Sequence, residues 1–429
     1  MVAVGKRAWW TLALLTAAYI LSFVDRLIVS IVVQPLKADL DLTDVQISLL
    51  QGAAFAVFYA IMGIPLGRAA DLANRRLLIV LGVVLWSGAT IACGVATTFA
   101  AIFLARVLVG VGEAVLSPAA FSIFSDTFPR DRLARVIGIY TTGGALGNGI
   151  ALLGGGAALK AFTATGLLHW PIVGTLAPWQ STFVSVGLPG LLIAVLLFLT
   201  VREPTRTQQQ AAPSIRDVLH RLRAARSAYG PVMMAGALNG IVAYAYVSWA
   251  PVFLSRRFAL APADAGLLFG AVMLSCGAIG PVVGGWLCDI GTRRGLHDAP
   301  LKISQWGFIA MAVLGPLTFN SSSVALTMAL MCLLTLSFTT LLTQSPVAIQ
   351  LITPCRMRGQ MSAVNLVIAN ILGLGLGPLL SASSAALWFD GEIGAGVSLT
   401  VAAAAIAGAV VAWFGRPHLF RAVKRESNE

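Results

Sequence analysis

The sequence predicts an all-α membrane protein with twelve transmembrane helices, arranged as two parallel, pseudo-symmetric bundles of six. Three observations carry this. Of 429 residues, 58% are hydrophobic and 11% charged, which is too little polar surface for a soluble domain of this size. The apolar residues fall into runs of about 20, the length of one bilayer crossing. A loop motif with fixed offsets also occurs twice, 218 residues apart, from Gly67 to Gly285.

In chain order the spans are expected at about 9 to 33, 46 to 66, 77 to 97, 99 to 124, 134 to 159, 181 to 201, 230 to 254, 263 to 288, 303 to 319, 324 to 352, 360 to 388 and 395 to 415. The hardest boundaries to place are the short turn at Thr97 and Thr98 and the stretch from Lys160 to Gln180. Lys6 and Arg7 precede an apolar run as in a signal peptide. That run is too long and holds two charges, so it reads as a retained first span.

The formal charge is +12. Its basic residues sit in short clusters between apolar runs, which suits orientation in a bilayer rather than nucleic-acid binding. With an even number of spans both termini lie on one side. That side holds 23 of the 29 Lys and Arg residues and the other only Lys37, Lys160, Arg256 and Arg257, with Arg26 and Arg106 inside spans. Both termini are therefore expected to be cytoplasmic.

The loop between the sixth and seventh spans divides the chain into an amino-terminal bundle (1 to 202), a cytoplasmic linker (203 to 228), and a carboxyl-terminal bundle with tail (229 to 429). Residues 203 to 213 are polar and Gln-rich. Beyond them Ile215, Val218, Leu219 and Leu222 alternate with arginines, with Ser214 and Asp217 as a cap, so a short amphipathic helix on the membrane surface is expected. A solvated charged connector is the equal alternative.

Gly67, Asp71, Arg75 and Arg76 form G-x-x-x-D-x-x-x-R-R, repeated by Gly285, Asp289, Arg293 and Arg294. A second echo links Pro129, Arg130 and Arg132 to Pro354, Arg356 and Arg358. Repeats of like orientation imply a site at the repeat interface and alternating access by rocking. The glycines allow close approach at a span end. The aspartates are placed to accept bonds from arginines or a helix amino terminus of the other half, giving a latch built from Asp71, Arg75, Arg76, Asp289, Arg293 and Arg294. A role confined to topology would not require Gly and Asp at fixed offsets.

Charge within a span is costly, and marks function by default. Asp25 and Arg26 lie in the first span, Arg106 and Glu113 in the fourth. Arg106 and Glu113, seven residues apart, share a helical face with Gly110 and Ser117. By helical rise Arg106 lies roughly 10 Å from the outer end of its span and Asp25 roughly 12 Å, level if the two spans adjoin. A carboxylate beside an arginine in a partly dry cavity feels desolvation and the cation in opposite senses. We therefore expect Arg106 to be shared between Asp25 and Glu113, protonation of Asp25 freeing it for Glu113. Arg26 points about 100° away from Asp25. A static ion-pair network that locks the bundle is the alternative.

The carboxyl half offers neutral groups: Asn239, Tyr244, Tyr246 and Trp249, then Thr339, Thr343 and Gln344, then Asn365 and Asn370. Of these Tyr244, Trp249, Thr339 and Gln344, with Arg106 and Glu113, are the candidate substrate contacts. Arg106 suits an anionic head group, and an apolar cavity with few polar groups suits an amphiphile's tail. For any single one of the neutral residues, bonding between helices is the better reading. Gly-x-x-x-Gly pairs at Gly63 and Gly67, Gly143 and Gly147, Gly266 and Gly270, and Gly373 and Gly377 serve either sliding of the halves or ordinary tight packing.

Cys93, Cys276, Cys288, Cys332 and Cys355 lack any paired spacing, and His169, His220, His297 and His418 fall in loops or the tail. No disulfide framework, metal or other cofactor is indicated.

Across its whole length the chain resembles the major facilitator superfamily, through the loop motif, the twelve spans and the central loop. The family pattern has Arg after the motif Asp and Gly before the basic pair, where this chain has Leu72 and Asn74. Asn74-Arg75-Arg76, together with Asp25-Arg26, Trp86-Ser87 and Arg106-x-x-Val109-Gly110-x-Gly112-Glu113-Ala114, resembles the bacterial spinster branch. The resemblance implies a monomeric secondary transporter of the bacterial inner membrane, proton-coupled, for lysophospholipid or sphingosine-1-phosphate-like amphiphiles. A carrier of small organic anions or a drug exporter fits the same scaffold. A membrane enzyme acting on lipid head groups is disfavoured by the absence of histidine or metal-ligand spacing within the spans, and a receptor would bind without moving its ligand.

Overall fold

The computed structural model describes residues 5–171, 174–205, 215–354 and 357–426. Ser214 and most of the linker from 206 to 213 lie outside them, as do Cys355 and Arg356.

The first span is α1 (Lys6–Leu40), ended by Asp41 in a left-handed conformation at φ 49°. The second is composite: α2 (Asp44–Ser48), a π-helical stretch (Leu49–Ala53) and α3 (Ala54–Leu72). Thr43 opens it with a capping box, its hydroxyl accepting from Gln46 N while the Gln46 amide oxygen accepts from Thr43 N. Asn74, which stands where the family pattern has Gly, caps α4 (Arg75–Val95) by accepting from Leu77 N at 2.9 Å. Thr98 caps α5 (Phe99–Glu113) in the same way through Ala101 N, so the two-residue turn at Thr97 and Thr98 separates two helices.

The fourth span breaks at Ala114 and Val115 and resumes as α6 (Leu116–Thr127). α7 (Arg130–Thr165) follows. The uncertain stretch after Lys160 then proves to contain a short antiparallel hairpin, β1 (Leu168–Trp170) and β2 (Gly174–Leu176), which the sequence did not signal. Trp170 Nε1 ties it to Ser181 Oγ in α8 (Pro178–Thr200) at 3.1 Å.

The expected amphipathic helix is α9 (Ile215–Ala224), with Val218 buried. Arg221 Nη2 donates to Glu426 Oε2 at 2.9 Å. The remaining helices are α10 (Arg226–Phe258), α11 (Pro262–Arg293), α12 (Ala299–Phe319), α13 (Val324–Leu341), α14 (Gln344–Ile352), α15 (Arg358–Trp388) and α16 (Ile393–Glu426). α13 and α14 together make the tenth span, interrupted at Leu342 and Thr343. The fourth and tenth spans, which the sequence repeat relates, thus carry the same kind of break, beside Glu113 in one and Gln344 in the other.

Every expected span has a helix. Among the described residues eleven are long and apolar enough to cross a membrane by length and composition. The twelfth, α12, has 21 residues but carries Lys302, Ser304 and Gln305 in its first two turns, which dilute its apolar character.

The chain forms two compact units. Unit 1 is Met1–Gln209 with Leu254–Leu274, and unit 2 is Gln210–Phe253 with Ser275–Glu429. The glycine pairs divide by environment. A Cβ on Gly147 would lie 2.7 Å from Ile20 O of α1, and one on Gly377 2.7 Å from Ile241 O of α10, so these glycines permit close helix packing within their own units. A Cβ on Gly63 or Gly67 would meet nothing within 4 Å among the described residues.

Three of the four basic residues expected on the outer side are paired inside unit 1. Asp44 accepts from Lys37 Nζ at 2.8 Å and from Arg256 at 2.6 and 2.7 Å, and Lys160 Nζ reaches Asp264 at 2.7 Å.

Candidate functional site

The four intramembrane charges come together in unit 1, all at most 8% exposed. α1 supplies Asp25 and Arg26, and α5 supplies Arg106 and Glu113. Their pairing differs from the expected one. Glu113 Oε2 accepts from Arg26, with Nε and Nη2 each at 2.7 Å. Arg106 is shared by neither acid. Its Nη1 donates to the Asp25 carbonyl oxygen at 2.7 Å, its Nη2 to the Arg26 carbonyl at 3.4 Å, and its Nε to the Leu50 carbonyl at 3.1 Å.

The physical reasons are local. Glu113 is the last residue of α5, where unpaired carbonyls repel an anion, so a cation there is strongly favoured. Arg26 is held over three aromatic rings, 4.7 Å from the centroids of Phe23 and Phe55 and 5.1 Å from that of Tyr59. Leu50 lies in the π-helical stretch, whose wider turn departs from the regular bond ladder and is frequent at functional sites. Each backbone carbonyl has two lone pairs, so Asp25 and Arg26 can serve both the helix and Arg106. Gly110 lets α5 approach: a Cβ there would lie 2.6 Å from Phe55 O.

Oδ1 of Asp25 is buried and makes no hydrogen bond among the described residues, nor do Oε1 of Glu113 and Oγ1 of Thr90. Trp86 Nε1 and Ser87 Oγ, from the dipeptide quoted above, are buried and unpartnered in the same sense. Ser117, on the Glu113 face, lies 3.1 Å from the Tyr140 hydroxyl, and Tyr140 stacks on Tyr19 at 4.4 Å.

Phe23, Phe55, Tyr59 and Tyr140 were not singled out from the sequence. The available signal was the aromatic pair at positions i and i+4 in the second span, which puts both rings on one helical face.

In unit 2 the expected substrate contacts mostly bond between or within helices. Trp249 is fully buried and donates to Pro378 O at 3.1 Å. Thr339 Oγ1 donates to Thr335 O at 2.6 Å, and Tyr244 reaches Asn370 Oδ1 at 3.4 Å. Gln344 Nε2 donates to Gly284 O and Thr340 O, both at 3.1 Å, while its Oε1 makes no hydrogen bond among the described residues.

The two motif copies are used differently. Arg75, 1% exposed, binds Asp126, Glu203, Ser122 and the Pro204 carbonyl, all in unit 1. Arg76 lies over the Phe198 ring at 4.9 Å. The side chain of Asp71 lies outside the described residues. Asp289, Arg293 and Arg294 are exposed and form no ion pair among the described residues.

This arrangement defines a polytopic membrane transporter with a buried ion network. The sequence pattern of the Major Facilitator Superfamily matches residues 15–378, and the chain belongs to that superfamily, a class of transporters and not of enzymes. Within it the chain is spinster-like. A crystal structure of a bacterial homolog of the human lysosomal transporter spinster, inward-facing and unoccupied, is 27% identical, with a TM-score of 0.80 over 99% of both chains. An MFS-type efflux pump of Mycolicibacterium smegmatis is 26% identical over 98% of this chain and 96% of its own. Protein spinster homolog 1 of Homo sapiens is 28% identical over 67% of this chain and 55% of its own length.

Proposed function

We propose that the chain is a proton-coupled secondary transporter that moves an amphipathic anion, of the lysophospholipid or sphingosine-1-phosphate-like class, by alternating access. The observation that supports it is the buried carboxylate of Asp25, whose Oδ1 makes no hydrogen bond among the described residues, one residue before Arg26 of the buried ion pair with Glu113. Proton uptake by Asp25 removes one negative charge beside Glu113 and alters the balance of charge around Arg26 and Arg106, as a coupling site requires. Arg106 acts here by positioning: its three carbonyl bonds lock α1 and the second span to α5. The three charged residues Asp25, Glu113 and Arg106 form the proton-responsive group, and Arg26 joins them. Gln344, whose amide oxygen makes no hydrogen bond among the described residues, and Tyr244 are the groups of unit 2 proposed to meet substrate. Trp249 and Thr339 support the helices that carry them.

We propose a monomer in the bacterial inner membrane, and the 23 to 4 distribution of basic residues supports cytoplasmic termini. Cysteine labelling from either side of intact cells at the tail and at Lys160 tests that orientation, and the reverse labelling pattern would overturn it.

A second reading has specific support. Similarity to an efflux pump runs over nearly the whole chain, which favours export of a drug or small organic anion on the same scaffold. Purified protein in proteoliposomes, offered a fluorescent lysophospholipid and a panel of small anions, separates the two. Uptake of lysophospholipid driven by an imposed pH gradient supports the first, and transport of small anions alone supports the second.

A further inference from the structure

Unit 2 carries an apolar groove that the proposed transport residues do not use. It holds about 450 Å³, within the range of about 300–1,000 Å³ typical of ligand sites. Leu287 and Ile290 of α11, Ile303 and Trp306 of α12, and Leu336 and Leu341 of α13 form its walls. Its floor is tight. A Cβ on Gly307 would collide with Leu341, and one on Gly291 would lie 2.6 Å from the Ala299 Cβ, so the helices touch there and leave a trough outside.

One end of the trough is cationic. Arg294 and Lys302 line it, and neither makes an ion pair with any described residue. The nearest acid in sequence, Asp298, is already taken by Arg416 at 2.7 Å. From Arg294 to Val283, the far lining residue of α11, is eleven residues, or about 16 Å of helix. That is close to half of the roughly 30 Å hydrocarbon core, one leaflet. Trp306, 62% exposed, stands one turn beyond Lys302, the depth at which tryptophan marks a membrane interface.

We propose that this groove binds one anionic phospholipid, its phosphate between Arg294 and Lys302 and an acyl chain along Leu287, Ile303 and Leu336. A basic pocket between helices at a leaflet surface attracts anionic head groups, and the apolar trough excludes a soluble anion as the better occupant. Assignment to the cytoplasmic leaflet rests on the orientation proposed above, whereas binding itself does not.

Native mass spectrometry of the purified protein in detergent, with equal amounts of phosphatidylglycerol and phosphatidylcholine of identical chains, tests it. The wild type retains one phosphatidylglycerol in preference. The Arg294→Ala, Lys302→Ala double variant loses about tenfold in phosphatidylglycerol retention. Arg293→Ala, outside the lining, leaves it unchanged. Equal retention of both lipids by the wild type, or undiminished retention by the double variant, overturns the proposal. If the double variant does not fold, Ser337→Trp, which fills the exposed wall, decides: loss of the bound lipid supports the site and full retention refutes it. The measurement needs neither a gradient nor a transported substrate, so failure of the transport reading would not mimic failure here.

Discussion

Arg26 of α1 clasps Glu113 of α5 through Nε and Nη2, both 2.7 Å from one carboxylate oxygen, with the glutamate side chain fully buried. A pair so enclosed is expensive to break from one side, because the survivor is left charged and unsolvated. Arg26→Ala should therefore cost about 3–5 kcal/mol. The double replacement Arg26→Met, Glu113→Leu should cost less than Arg26→Ala alone. Thermal unfolding in detergent measures both, and a double variant less stable than the single one would contradict the pairing.

Gly110 controls whether that clasp forms. Its absent Cβ would sit 2.6 Å from the Phe55 carbonyl oxygen, and Phe55 carries the Arg26 guanidinium on its ring. Gly110→Ala should destabilise by about 1–3 kcal/mol through overpacking. The same unfolding assay reads it, with Gly138→Ala, which meets nothing within 4 Å, as a control expected to unfold near the wild-type temperature.

The duplicated arginines predict unequal effects from equal sequences. Arg75 is a buried hub for α6 and the segment after α8, so Arg75→Ala should cost about 2–3 kcal/mol as charge-assisted bonds are lost. Arg293→Ala, at an exposed position without an ion pair among the described residues, should fall within about 0.5 kcal/mol of wild type. Comparable losses at the two positions would show that the exposed copy has a role in stability after all.

Much of this was legible in the sequence and some was not, for identifiable reasons. Span positions follow from apolar length, and even α12 was found, despite the polar residues that weaken it. Asp25 and Arg106 were expected to lie level, and they do, 2.7 Å apart from carbonyl to guanidinium. The partner exchange was not visible. A helical wheel puts Arg26 100° from Asp25, but only the placement of α3 reveals that Phe55 and Tyr59 occupy that direction and leave Glu113 within reach. The Leu50 carbonyl was equally hidden, since a π-helical stretch breaks no apolar pattern. Arg75 and Arg293 share a motif, yet the residues that distinguish them, Asp126 and Glu203, lie outside it.

Asp44 gathers Lys37 and Arg256, and through Arg256 it holds Leu254–Leu274 to the rest of unit 1. Removing it with Asp44→Ala should raise amide exchange about fivefold in the segment 254 to 274, equivalent to ~1 kcal/mol for a partly exposed cluster. Hydrogen exchange by mass spectrometry reads this directly. Unchanged protection there would mean that apolar packing alone retains the segment.

The central claim is that Asp25 couples proton movement to transport, and one comparison addresses it most directly. Lysophospholipid uptake into proteoliposomes is measured for wild type and Asp25→Asn, with and without an imposed pH gradient. The account predicts gradient-stimulated uptake by the wild type and the same slow rate for Asp25→Asn in both conditions. Gradient stimulation of equal size in Asp25→Asn would contradict it.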